Sequence, residues 1–403
     1  MTVTTTELEH ADVLEAVGEA LELTVHGRRR VATEATSRGF ATGYELQVAD
    51  AAGARRALTV YVETEPDETD RDGVLTFTDS TTGERVAVWL YPNDPALPVL
   101  KAAVFPDAAA VLLERMGVPA AGLALEVVSY RPGKRAVVRA TTAEDVLYLK
   151  VVRPDLAEPI HAAHGAWRAA GIPAPKAVAF APEGLVALRE LPGIEALTVV
   201  PRLDGGFVEA VGHLVDAIAA VPSHKAARAS LITRLDWYEA RLTRLAPARA
   251  ADVTRLCARA GAAYRAALPT MVPATIHGDL HLSQVFVDPA VPHLIVGVLD
   301  IDTAGLGDRA DDSAALWAHL VVTAHHHDAL GDAATAHSCR VLAARFRDGW
   351  ESGDDVGYPV RVRAIAATHL LAHALAGTVT ADQALAIADA LFVPDESSLT
   401  SAS

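Results

Sequence analysis

The chain has 403 residues, 51% of them apolar and 21% charged, enough apolar material for a large core and too much for a disordered chain. Length predicts two to three domains. Acidic residues outnumber basic ones 51 to 35, a formal net charge of −16, which argues against a nucleic-acid polymer as partner and suits a cationic or neutral small substrate.

Cys257 and Cys339 are too few for a disulfide scaffold or a zinc cage and predict buried, reduced thiols. The first residues lack the basic start and apolar run of a signal peptide. No stretch approaches the ~18 unbroken apolar residues of a membrane span. A cytoplasmic protein without membrane association is predicted, its oligomeric state open.

In chain order, the apolar spacing predicts a helix over Glu7–Leu23. Strands follow over Arg30–Ala35, Gly43–Ala49, Ala57–Thr64 and Val86–Leu90, with a shorter one at Val74–Phe77. A second helix covers Asp107–Met116. Together these read as a helix laid on an antiparallel sheet. Next come strands at Leu125–Tyr130, Arg135–Ala140 and Val146–Val152, the first two joined by the turn Arg131-Pro-Gly-Lys134. A helix runs from Pro154 and Pro159 to Ala170, and a strand covers Gly184–Glu190. From about 207 the chain is helical, except for a strand–loop–strand–turn–strand segment at 275–302.

The chemistry lies in that exception. His277-Gly-Asp-Leu-His-Leu-Ser-Gln-Val-Phe-Val287 carries Asp279, with a carboxamide five positions later at Gln284. Twenty-one positions after Asp279, Asp300 ends another apolar run, in Leu299-Asp-Ile-Asp-Thr-Ala-Gly305. Phosphoryl transfer needs a carboxylate beside the attacking hydroxyl and hard oxygen ligands that hold Mg²⁺ against a triphosphate. An Asp, an amide at +5 and a strand-end Asp is the spacing of protein-kinase-like enzymes.

These residues resemble the aminoglycoside phosphotransferase and choline kinase family, whose loop reads HGD with Asn five positions on. Gln284 in that place, with the N-terminal helix-plus-sheet module, also resembles the capped maltokinase-related branch; LDIDTAG departs from that branch's metal loop. The resemblance implies an α+β, protein-kinase-like bilobal fold. Its parts are an N-terminal cap at 1–117, a β-rich nucleotide lobe at 118–195, a mainly helical lobe at 196–395 and a flexible tail at 396–403. It implies ATP and magnesium as cofactors and a small-molecule acceptor bearing a hydroxyl. Asp279 is then the catalytic base, braced by His277 and His281. Gln284 and Asp300 are metal ligands, and Asp302 is a further metal contact.

A kinase-like lobe requires a hairpin over the phosphates and an inward lysine on the third strand. Lys150, in Tyr148-Leu-Lys-Val-Val152, needs a neutralising anion if buried among apolar neighbours. Lys134 and Arg135 at the hairpin tip are further candidates for phosphate contact. Glu158 at the helix start is a candidate partner of Lys150, with Asp155 its rival. Glu190 and Leu191 sit where the hinge that pairs with adenine is expected. The first acceptor expected is an aminoglycoside or amino sugar. A maltose-type sugar kinase and a nucleotide-binding pseudokinase acting as a regulatory module are the alternatives.

Overall fold

The structure is a computed structural model and describes residues 10–36, 38–66, 73–78, 83, 85–351 and 355–392. The start of the predicted first helix and the 396–403 tail lie outside the described residues. The chain forms two compact units. One extends through Ala162 and takes up Lys176–Glu190 again; the other comprises Ala163–Pro175 and the chain from Leu191.

The first unit begins with α1 (Ala11–Ala20), followed by β1 (Thr24–Ala35), β2 (Phe40–Ala49), β3 (Arg55–Thr64), β4 (Leu75–Thr78) and β5 (Arg85–Leu90). The strands form an antiparallel sheet in the order β1-β2-β3-β5-β4. Val13, Leu14 and Val17 of α1 bury against Leu46, Val60, Val62 and Val88, the one-sided packing that an apolar helical stripe produces. Alternation in β3 predicts one wet face, yet the end of this strand is covered on both. Tyr61 stacks on Trp89 with centroids 5.7 Å apart. Gly43 makes room for it, because a Cβ there would lie 2.6 Å from the Tyr61 ring.

Two helices follow, α2 (Leu100–Val104) and α3 (Pro106–Arg115), then β6 (Ala124–Arg131), β7 (Arg135–Thr141) and β8 (Val146–Val152). Next are α4 (Pro154–Ala169), β9 (Ala177–Ala181) and β10 (Leu185–Arg189). The second sheet has the order β6-β7-β8-β10-β9. One face packs on α2 and α3 through Leu100, Leu113, Val138, Leu149 and Leu185. The helix predicted at 107–116 thus belongs with the second sheet in packing. The other face receives α4 through Ala157, Ile160, Val186 and Leu188.

The second unit holds β11 (Ile194–Glu195), α5 (Gly205–Ala219), α6 (Leu235–Leu245), α7 (Ala250–Ala267), β12 (Ala274–Ile276), β13 (Val285–Val287), β14 (Ile295–Val298) and β15 (Gly305–Gly307). It closes with α8 (Ala310–Ala329), α9 (Ala333–Glu351), α10 (Gly357–Leu375) and α11 (Ala381–Ala390). Asp204 caps α5, its carboxylate accepting from the N–H groups of Gly206 and Phe207, as N-terminal helix donors require. The core is continuous across α7, α8 and α10 and includes both cysteines. Burial pushes the Cys257 thiol up to about 12. His325, His326 and His327 end α8, and His326 is exposed.

Candidate active site

The strand β12 delivers His277, Gly278 and Asp279 into a loop. Asp312, in the first turn of α8 and 1% exposed, holds that loop by its backbone. One carboxylate oxygen accepts from the His277 N–H and the other from the Gly278 N–H, each at 2.8 Å. Burial raises the Asp312 carboxyl, and the charge of His277 and these two amides act against that rise.

The His277 ring donates from Nε2 to the Leu299 carbonyl at 2.7 Å, and its own carbonyl accepts from the Thr303 hydroxyl at 2.8 Å. Gly278 has φ 81°, and a Cβ there would meet the Thr303 carbonyl oxygen at 2.7 Å. Only glycine combines that backbone with that approach.

Asp279 receives a hydrogen bond on Oδ2 from Arg228 Nη1 at 2.9 Å. His281 stacks on His319 of α8 at 4.5 Å, and His319 meets His373 of α10 edge-on at 4.8 Å. Burial, then the neighbouring imidazole of His281, pushes His319 down to about 2. Burial likewise pushes His369 down to about 3 and lowers His281 and His373. These rings are uncharged at neutral pH.

Gln284 closes the helical turn before β13 and is 8% exposed. Its Oε1 is buried with no hydrogen-bond partner among the described residues. Asp300 follows β14 in the left-handed region, φ 56° and ψ 46°, which costs a residue with a Cβ some strain and is commonest for Asp and Asn. The Asp302 carbonyl accepts from Lys225 Nζ at 2.7 Å. Among the described residues no group of three or more His, Cys, Asp or Glu side chains is arranged to hold a metal ion.

In the other unit, Lys150 is 6% exposed on the central strand β8, opposite Val137 and Val186. It points to the sheet face on which α4 packs, so a solvent-facing edge lysine is excluded. Glu158 is exposed on α4. Lys134 Nζ donates to Glu34 at 3.0 Å, and Arg131 donates to both oxygens of the same carboxylate at 3.1 and 3.0 Å. These contacts hold the Glu34 carboxyl below its usual range.

Arg135 starts β7 and pairs in register with Val152. Glu190 donates its backbone N–H to the Val146 carbonyl at 3.0 Å. Its carboxylate accepts from Arg139 at 3.4 Å and from the Tyr148 hydroxyl at 3.3 Å. The chain leaves the first unit between Glu190 and Leu191.

The model of the phosphotransferase enzyme family (APH) matches residues 127–355, more than half of the chain. The chain belongs to that family. The phosphotransferase has the family's α+β, protein-kinase-like fold, and the match spans Lys150, the 277–284 loop and Asp300. No curated protein matches it.

It is similar to solved structures of low identity. A thermostable mutant of aminoglycoside phosphotransferase APH(4)-Ia, in ternary complex with AMP-PNP and hygromycin B, has TM-score 0.46 and 15% identity over 70% of this chain and 97% of that one. Macrolide 2'-phosphotransferase MphH from Brachybacterium faecium has TM-score 0.40 and 19% identity over 72% and 99%. A choline/ethanolamine kinase family protein from Mesorhizobium loti has TM-score 0.45 and 19% identity over 73% and 93%.

In the sequence of the phosphotransferase Asp308 and Asp312 read as acids that anchor a helix start and are candidates to face the site; the reach of Asp312 to the 277–278 backbone has no local signal. Asp308 forms a buried pair with Arg361 at 2.8 Å, both side chains under 5% exposed, and so fixes the start of α8. Arg228 lies 51 residues from Asp279 in a stretch with no motif. The arrangement presents a carboxylate at the end of a tightly braced loop and oxygen donors on the two loops beside it, the groups needed to take a hydroxyl proton and to hold a hard cation.

Proposed function

We propose that this phosphotransferase moves the γ-phosphoryl group of ATP to a hydroxyl of an aminoglycoside or amino-sugar-like acceptor. The observation that carries the reading is the braced loop. Asp312, Gly278 and the Thr303 contact fix Asp279, and its Oδ1 carries no hydrogen bond among the described residues. Asp279 orients the acceptor hydroxyl and takes its proton through that oxygen. The hydroxyl oxygen bonds to phosphorus as the bond to the β-phosphate oxygen breaks, and ADP leaves.

Lys150, buried on the central strand β8, sets its ammonium against the α- and β-phosphates. His277 and His281 brace the loop. A buried amide oxygen without a donor fits a hard cation, so Gln284 Oε1 and Asp300 would hold magnesium, with Asp302 adding a contact. Bound there, magnesium supplies neutralisation of phosphate charge. Lys134 can reach a phosphate only in competition with Glu34.

An amine-bearing acceptor is supported by the chain's acidic balance, a formal net charge of −16. A neutral sugar is the second reading, supported by the His281 and His373 imidazoles near Asp279, both lowered by burial and able to hydrogen-bond hydroxyls.

The test is a panel of aminoglycosides, amino sugars, neutral sugars and choline-like alcohols with ATP and magnesium, products read by mass spectrometry. Transfer to amine-bearing acceptors supports the first reading, and transfer to neutral sugars alone the second. Asp279→Asn should lower transfer by on the order of 10³-fold, the scale of a positioned base, with nucleotide affinity retained. Wild-type turnover in that variant would exclude Asp279 as base.

A further inference from the structure

Arg228 touches Asp279 and has no part in the reading above. It lies between α5 and α6, on a segment joined to the 302–306 loop by a seam of hydrogen bonds. Leu306 N–H donates to the Lys225 carbonyl at 2.7 Å, Ala227 N–H to the Leu306 carbonyl at 2.9 Å, and Arg228 N–H to the Thr303 carbonyl at 2.9 Å. Lys225 Nζ adds its bond to the Asp302 carbonyl at 2.7 Å.

Gly305 makes the seam, because a Cβ there would meet the Lys225 carbonyl oxygen at 2.5 Å and backbone atoms of Ala226 and Ala227 at 2.6 Å. Thr303, in turn, bonds the His277 carbonyl. Three segments distant in sequence therefore meet at the catalytic loop, and the Arg228 guanidinium is the part that reaches the carboxylate.

We infer that Arg228 is a positioning residue for Asp279, held in place by the Gly305 seam. The inference rests on Asp279 being the base. By occupying Oδ2, the guanidinium fixes the carboxylate plane and leaves Oδ1 to the acceptor hydroxyl. The pair is open to solvent, with side chains 39% and 25% exposed, and such a pair contributes little to stability. Its effect belongs to geometry, where a displacement of about 1 Å can cost about 100-fold in rate.

The experiment compares wild type, Arg228→Ala, Arg228→Lys, Gly305→Ala and Asp279→Asn. Turnover is followed with ATP, magnesium and 2-amino-2-deoxyglucose, and the Asp279 rotamer is read from crystals of each variant. Arg228→Ala should lose about 100-fold in kcat, with the nucleotide KM and Tm close to wild type and the Asp279 carboxylate in more than one rotamer. Arg228→Lys should recover part of the rate, because a cation at the same point restores the contact without the planar fork.

Added guanidinium should restore Arg228→Ala saturably and leave Asp279→Asn inactive. Gly305→Ala should show an intermediate loss with the carboxylate turned. A wild-type kcat in Arg228→Ala, or a single unchanged Asp279 rotamer, overturns the inference. Wild-type turnover in Asp279→Asn overturns the assignment of the base instead.

Discussion

Asp312 and Asp94 each pin a loop from a buried carboxylate, and they do it differently. Asp312 takes two successive backbone N–H groups of the 277–279 loop. Asp94, 2% exposed, takes one backbone N–H of the β6–β7 hairpin, from Gly133 at 2.7 Å, and the Tyr130 hydroxyl at 2.7 Å. The hairpin is also fastened by the contact of Arg131 and Lys134 with Glu34, whose side chain is 22% exposed. The 277–278 backbone is thus held by a carboxylate buried away from water and salt. The hairpin depends partly on pairs that ionic strength weakens.

The largest effect that tests this contrast is Asp312→Asn. It turns an amide NH₂ toward a backbone N–H and leaves that donor buried without an acceptor. A loss of about 2–3 kcal/mol in urea unfolding follows, with little dependence on salt. A cost below that of the hairpin pairs would break the comparison.

Asp311 sharpens it through pH. Burial pushes its carboxyl up to about 7, against a lowering hydrogen bond from Ser230. The folded state binds that proton more tightly than the unfolded chain, whose value is near 3.8, so this group costs stability as pH rises from about 4 to about 7. Asp311→Asn should therefore be more stable than wild type at pH 8, with the difference vanishing below pH 4; Tm across that range checks it. A constant difference would remove the titration from the account.

The smallest effect is Glu34→Gln. Loss of these partly exposed pairs should cost under about 1 kcal/mol, and the cost should shrink further in 1 M salt. A Lys134 double-mutant cycle measures it. A large, salt-independent cost would place the hairpin in the same class as the 277–279 loop.

The second sheet was legible because β7 and β8 alternate, and Lys150 was legible as a charge within an apolar strand. The strands β9 and β15 were missed. Ala177–Ala181 carries two β-branched or aromatic residues among alanines, and Gly305–Gly307 has two glycines, so neither has a strand's propensity. The strand β15 exists because glycine lets it lie against Ile276, where a Cβ on Gly307 would come within 2.5 Å of that side chain. Net charge counts the whole surface, whereas a site is set by the few side chains that converge on it; beside Asp279 these include Arg228, Asp312 and His281.

The sequence alone determined most of the longer elements and the family, because periodicity and motif spacing are local properties of the chain. It also placed Asp279, Gln284 and Asp300 on two neighbouring loops, since short apolar strands leave polar residues nowhere else to go. Only the tertiary structure decided which distant groups hold those loops: Asp312 on the 277–278 backbone, Arg228 on Asp279, Gly305 at the seam and His319 against His281. Such partners are chosen by burial and by which donors are left unmet when helices and strands pack, and no residue's neighbours in the chain record that choice.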